Sequence, residues 1–200
     1  TRRYSSNRRC RLVRVIEASP RRVTPPCPIV DRCGGCGLQH LNHEAQLDHK
    51  TGVVRELLAR QAGLEPGVLE APLRSAPFGY RRRARLAWHV PRRGAPVLGF
   101  RQEGSRDVVA VDECLVLDPV LATLPGRLRP MLASLRRPRD LGHVEFTVSE
   151  SGDGSGRAVV YLHLVDDPSP EDGARLAAFA ETAGAYLYVG MAGQRPQCLY

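Results

Sequence analysis

Residues 27–36 read CPIVDRCGGC and set three thiols in ten residues, Cys27, Cys33 and Cys36, spaced C-x5-C-x2-C. A fourth, Cys114, stands far along the chain at the end of the apolar run DVVAVD. Thiols this dense, in a chain with no export signal, point to metal binding or redox chemistry rather than a disulfide scaffold. Structural zinc sites typically draw on two short Cys/His pairs, and only one short pair is present here. Three ligands on one loop closed by a remote thiolate is the layout of iron–sulfur proteins. Gly34 and Gly35 suit it, because small residues let backbone N–H groups approach the sulfurs. Zinc, buried free thiols and a nucleophilic cysteine served by His40 are the competing readings. Cys10 and Cys198 have no pattern around them.

A second chemistry is written in charge. Lys and Arg together number 29 against 21 acids, a net charge of +8, and Lys50 is the only lysine. A genome favouring arginine codons explains the arginine-to-lysine ratio but not where the arginines fall. Residues 1–22 hold eight arginines against Glu17, and residues 80–106 hold eight more against Glu103, while acids gather in 140–172. Such a bipolar layout fits a polyanionic partner, and the planar arginine fork suits phosphate. Period-two alternation over 80–90 sets Arg81, Arg83, Arg85 and His89 on one face, opposite Tyr80, Ala84, Leu86, Trp88 and Val90; Arg82 breaks the pattern. Guanidinium groups two residues apart on a strand lie roughly 6–7 Å from one another, near the phosphate spacing of a nucleic-acid strand. Tyr80 and His89 flank the row for stacking on unpaired bases, and Arg101 extends it from the next strand.

Elements that position these groups follow from periodicity and punctuation. A strand is predicted over 11–17 and a proline-rich linker over 19–28. Asn42 caps a helix of about twenty residues ending near Gly63, with Leu47, Val54, Leu57 and Leu58 on its apolar face. Strands are predicted at 80–90, 97–101 and 107–112, then at HVEFTVSE, RAVVYLHLV and AYLYV. Between them lie a helical stretch beginning at Asp118-Pro119 and interrupted by Pro125 and Pro130, and a helix capped by Ser169-Pro170. The fold class predicted is α+β, a mostly antiparallel sheet with flanking helices and a cysteine loop. No apolar run nears the roughly 20 residues that cross a bilayer, so no membrane role is expected.

The blocks TPPCPIVDRCGGCGLQHL, GYRRRARL, GFR, VVAVDECLVLDP and LGHVEF, in that order, resemble the bacterial 23S ribosomal RNA uracil-C5 methyltransferases that carry an iron–sulfur cluster. The resemblance implies a three-part protein, of which residues 1–20 would be the tail of a small RNA-binding β-barrel of the TRAM type and 21–200 the central cluster-bearing, RNA-binding domain. It maps the ligands of a [4Fe-4S] cluster onto Cys27, Cys33, Cys36 and Cys114. It implies that S-adenosylmethionine, the cysteine nucleophile and the general base belong to a C-terminal domain absent from this chain, so no catalytic residue is assigned. In that chemistry a thiolate adds to uracil C6, C5 takes the methyl group, and a base removes the C5 proton. Tyr80, Arg81, Arg82, Arg83, Arg85, His89 and Arg101 are the candidate contacts to 23S rRNA, in a cytoplasmic monomer. The reading from another class is a stand-alone RNA-binding module without catalysis, its four cysteines holding zinc or an iron–sulfur cluster. A ferredoxin-like electron carrier fits poorly, because this chain is basic where such carriers are commonly acidic.

Overall fold

The computed structural model describes residues 12–150, 156–191 and 193–200. Asn42 opens the first helix as its spacing predicts: its Oδ1 accepts from Ala45 N at 2.8 Å, and α1 runs His43–Leu57. A π-helical turn, Leu58–Ala62, carries it to Gly63, whose φ of 63° ends it in the left-handed region where glycine is cheapest. The apolar stripe expected on α1 is only partly covered, with Leu47 half-buried but Val54 and Leu57 exposed.

Seven strands form one sheet: β1 Arg83–His89, β2 Val97–Arg101, β3 Val108–Ala110, β4 Leu141–Glu150, β5 Gly156–Leu164, β6 Tyr186–Gly190 and β7 Gln197–Cys198. Their spatial order is β3-β2-β1-β4-β5-β6-β7. Every pairing is antiparallel except β5 with β6, where the helix α3 (Pro170–Ala183) makes the crossover that parallel strands require. The predicted α+β class and mostly antiparallel sheet therefore hold.

Helices α2 and α3 cover one face of this sheet, and among the described residues no helix packs on the other, here called the bare face. Leu128 and Leu132 of α2 (Leu124–Ala133) and Leu176 of α3 join Leu86, Phe146, Val160, Leu162 and Leu187 in a single core. Pro125 sits in the first turn of α2, where no backbone N–H is needed, so the helix begins later than the sequence suggests. At α3, Ser169 Oγ accepts from Asp172 N at 3.2 Å, as its cap pattern predicts. Trp88, the one tryptophan, packs into the core and donates Nε1–H to Pro138 O at 2.7 Å.

Two expectations fail at the edges. Residues 12–17, part of the strand predicted over 11–17, are irregular and exposed, having no partner strand among the described residues. Most of the barrel tail, 1–11, lies outside the described residues, as does Cys10. The strand predicted from Tyr80 pairs with β4 only from Arg83. Before that point, Arg81 bridges in parallel to Leu117, with Arg81 N donating to Val116 O at 2.8 Å and Asp118 N to Arg81 O at 3.0 Å.

Candidate functional site

The cysteine loop is fastened to the sheet edge by its backbone. Gly34 N donates to Arg101 O at 3.0 Å, and Cys33 bridges to Gln102 just past β2. A Cβ on Gly34 would fall 2.9 Å from Arg101 O, so the close approach demands glycine. The segment bearing Cys114 is held by its own turn, with Cys114 N donating to Ala122 O at 3.0 Å and Leu117 N to Cys114 O at 3.1 Å. These two anchors bring Cys27, Cys33, Cys36 and Cys114 to the wall of one cavity, shared with Gln39, Arg81 and Phe100.

All four thiols are half-buried and free. Burial pushes the Cys33 thiol up; the Gly35 N–H opposes this, the charges of Cys36 and Cys27 reinforce it, and Arg81 opposes it. Cys114 is likewise pushed up by burial, against N–H groups of Val116 and Leu117 and with help from Cys36 and Cys33. Cys33 and Cys114 are thus disfavoured as thiolates by burial and by neighbouring sulfurs, a penalty that a bound cation would offset. Around tetrahedral zinc, with bonds near 2.3 Å, sulfurs stand about 3.8 Å apart. Among the described residues the cysteines form no group of three within 4.8 Å of one another, so their present spacing is wider than one zinc ion requires.

The arginines divide between two sites. Arg81, half-buried, belongs to the cysteine cavity and acts on Cys33, so the expected row of three shrinks to Arg83 and Arg85. Both stand exposed on the bare sheet face with His89, and Arg101 shares that face from β2. Arg82 is exposed and pairs with Glu150. Tyr80 is half-exposed and lines a groove of about 600 Å³ against α1, with Phe78, Leu47 and Lys50.

A cluster that sequence reasoning missed lies beside Arg85. His143 and His163 stack at 3.6 Å between ring centroids, and their Nε2 atoms lie 3.6 and 3.4 Å from Glu145 Oε1. Arg83 donates to Glu145 Oε2 at 3.0 Å, and Arg85 Nη2 lies 3.3 Å from His143 Nδ1. The donor set resembles a metal triad, but a shared ion must lie in the plane of both rings, and rings only 22° from parallel offer no such point. It is an electrostatic cluster. Burial pushes both imidazoles toward the neutral form, which Arg85 reinforces and Glu145 opposes. Burial alone would raise Glu145, yet the Arg83 hydrogen bond and the charges of His163, Arg83 and His143 bring it below the usual carboxylate value. Alternation in LGHVEF and VYLHL already places these residues on one face; only the register that sets His143 opposite His163 makes them a cluster.

No family model matches the chain. Over 186 residues it is 46% identical to the 23S rRNA (uracil(1939)-C(5))-methyltransferase RlmD of Pseudomonas putida, covering 92% of this chain and 40% of that protein. The chain is similar to RNA uracil-C5 methyltransferases. Proteins of the same name from Halomonas elongata and Pseudomonas aeruginosa are 44% and 43% identical, each over 186 residues, with 92% and 90% of this chain and 36% and 39% of those proteins covered. The resemblance carried by the motifs is thus borne out, and the chain spans about two-fifths of the length of these relatives. The crystal structure of Pyrococcus abyssi tRNA (uracil-54, C5)-methyltransferase in complex with S-adenosyl-L-homocysteine superposes with a TM-score of 0.58 at 24% identity. The match covers 94% of this chain and 42% of that one, and extends the agreement to the fold.

Proposed function

We propose that this chain is the cluster-bearing and RNA-gripping part of an S-adenosylmethionine-dependent 23S rRNA uracil-C5 methyltransferase acting in the cytoplasm. The observation that carries this reading is the convergence of three loop cysteines and the remote Cys114 on one cavity in a chain 46% identical to an enzyme of that name. Cys27, Cys33, Cys36 and Cys114 would hold a [4Fe-4S] cluster, which supplies a redox-capable, charge-compensating crosslink between the loop and the sheet edge. Gly35, Val116 and Leu117 offer N–H groups to the thiolates, and Arg81 contributes positive charge beside Cys33.

Domain roles follow the same reading: 21–200 is the central domain, 1–20 the end of a TRAM-type barrel, and methyl transfer belongs to a further domain. RNA is gripped through Arg83, Arg85, His89 and Arg101, with Arg82 and Tyr80 at the margin. Anaerobic purification followed by absorption spectroscopy and iron and sulfide analysis tests the cluster. About four each of iron and sulfide per chain are expected for the cube, and stoichiometric zinc without iron refutes it. Calorimetric titration of residues 1–200 with S-adenosylmethionine should detect no tight site.

A further inference from the structure

The bare face of the sheet carries more than arginines. Across β4, β5 and β6 the register sets Glu145 opposite Tyr161 and Tyr161 opposite Tyr188; His143 faces His163, and His163 faces Gly190. These residues alternate with the buried Val144, Phe146, Val160, Leu162, Leu187 and Val189, so all their side chains leave the sheet on the side away from α2 and α3. The result is a connected ring surface: His143 stacks on His163, and Tyr161 meets His163 edge-on with centroids 4.1 Å apart. One row further, Arg157 lies over the Tyr186 ring at 4.8 Å.

Tyr161 lies down on the sheet because of a glycine. A Cβ on Gly190 would fall 2.3 Å from Tyr161 Oη and 3.1 Å from two ring carbons, so the ring occupies the space a side chain would fill. The ring rests against the sheet at Gly190, and Tyr161, Tyr186 and Tyr188 are each half-buried, so part of each ring is accessible. The surrounding charge is positive. Glu145 is the one carboxylate among the bare-face positions of β1, β4, β5 and β6, and Arg83 is already paired with it, leaving Arg85 and Arg157 in excess.

We infer that Tyr161, Tyr186 and Tyr188, bordered by the His143–His163 stack, form a stacking platform for unpaired bases of single-stranded RNA whose backbone runs past Arg83 and Arg85. This rests on the RNA-binding reading above and adds where the bases go. Two physical requirements are met together. Flat rings spaced one strand or two residues apart match bases splayed from an extended strand, and the flanking cations complement its phosphates. Apolar side chains of equal area would have covered the sheet equally well against a protein partner, and the face uses rings, imidazoles and guanidinium groups instead.

Fluorescence anisotropy decides it, with a labelled single-stranded RNA of about twelve nucleotides, its abasic counterpart and a duplex of the same length. Wild-type protein is expected to prefer the base-bearing single strand over both. Tyr161→Leu, Tyr186→Leu and Tyr188→Leu should each weaken that binding by about fivefold or more, with the salt dependence unchanged because no phosphate contact is lost. Tyr→Phe at the same positions should restore affinity, which separates stacking from a fold defect. Equal affinity for the base-bearing and abasic strands, or leucine variants that bind like wild type while Arg85→Ala weakens binding, overturns the platform and leaves RNA grip intact. Loss of all RNA binding by the wild type at low salt overturns the RNA reading itself.

Discussion

Residues 12–80 and the sheet that follows are held together by different means. Among the described residues, Ala45 is the one buried apolar side chain before Ala84; the others belong to the sheet, α2, α3 and their connections. The early region is fastened instead by polar backbone bonds, such as Val23 N to His40 O at 3.0 Å, Asn42 N to Arg21 O at 2.9 Å and Gly34 N to Arg101 O at 3.0 Å. Bonds of this kind contribute about 1 kcal/mol each, whereas a buried Leu or Phe contributes about 2–3 kcal/mol. A region with so little core needs another fastening, and the four cysteines stand where the proposed cluster would supply it. The contrast teaches that the proposed cluster is to residues 21–80 what Phe146 and Leu176 are to the sheet.

The largest expected effect breaks that equivalence at its strongest point. Cys33→Ser or Cys114→Ser should abolish iron binding, and hydrogen exchange should then show residues 21–80 unprotected while β4, β5 and α3 keep their protection. Cys198→Ser should change neither. Uniform loss of protection throughout would show that the two regions are one cooperative unit.

Phe146→Ala and Leu176→Ala act on the other side. They should lower stability by about 3–5 and 2–5 kcal/mol respectively, with the iron content of the remaining folded protein unaltered. Urea titration with parallel iron analysis checks both halves of the statement.

A smaller effect separates arginines that look alike in sequence. Arg83→Ala and Arg85→Ala should each reduce the slope of RNA affinity against salt by about one. Arg81→Ala should instead alter the cluster's reduction potential, because its guanidinium lies at the cysteine cavity. A slope change for Arg81→Ala equal to that for Arg85→Ala would return it to the row.

The smallest effect is in pH. His143 and His163 have folded-state values lowered by burial, so the unfolded chain binds protons first as pH falls. Stability from this pair is fully present above about pH 6.5 and declines below it. Glu145, also lowered, loses its contribution only further down, below the ordinary carboxylate value. Urea midpoints should therefore fall between neutral and mildly acidic pH, and less so in His143→Asn.

Local signals are legible wherever a residue acts on its own neighbours. Asn42 and Ser169 cap helices because their side chains reach a backbone N–H three residues on, a fact independent of the rest of the fold. Strand alternation in β1, β4 and β5 is equally plain, since one face must be apolar if helices are to cover it. The strand expected over 11–17 is not seen in its described part, 12–17, for the opposite reason: Leu12, Val13 and Val15 have the composition of a strand but no partner among the described residues to complete it.

Chain order alone thus determined the spacing of Cys27, Cys33 and Cys36, the helix caps, the alternation of the strands and the clustering of arginine, all of which are properties of adjacent residues. Tertiary structure decided which of those arginines act together. Arg81 left the row because its own backbone N–H and C=O pair with Val116 and Asp118, while pairing with β4 starts only at the next residue, where Arg82 O accepts from Val148 N. It also decided that Cys114 meets the loop, that His143 faces His163, and that Gly190 leaves room for Tyr161. Each of these depends on register between segments tens of residues apart, and a one-residue slip would move every side chain to the other face.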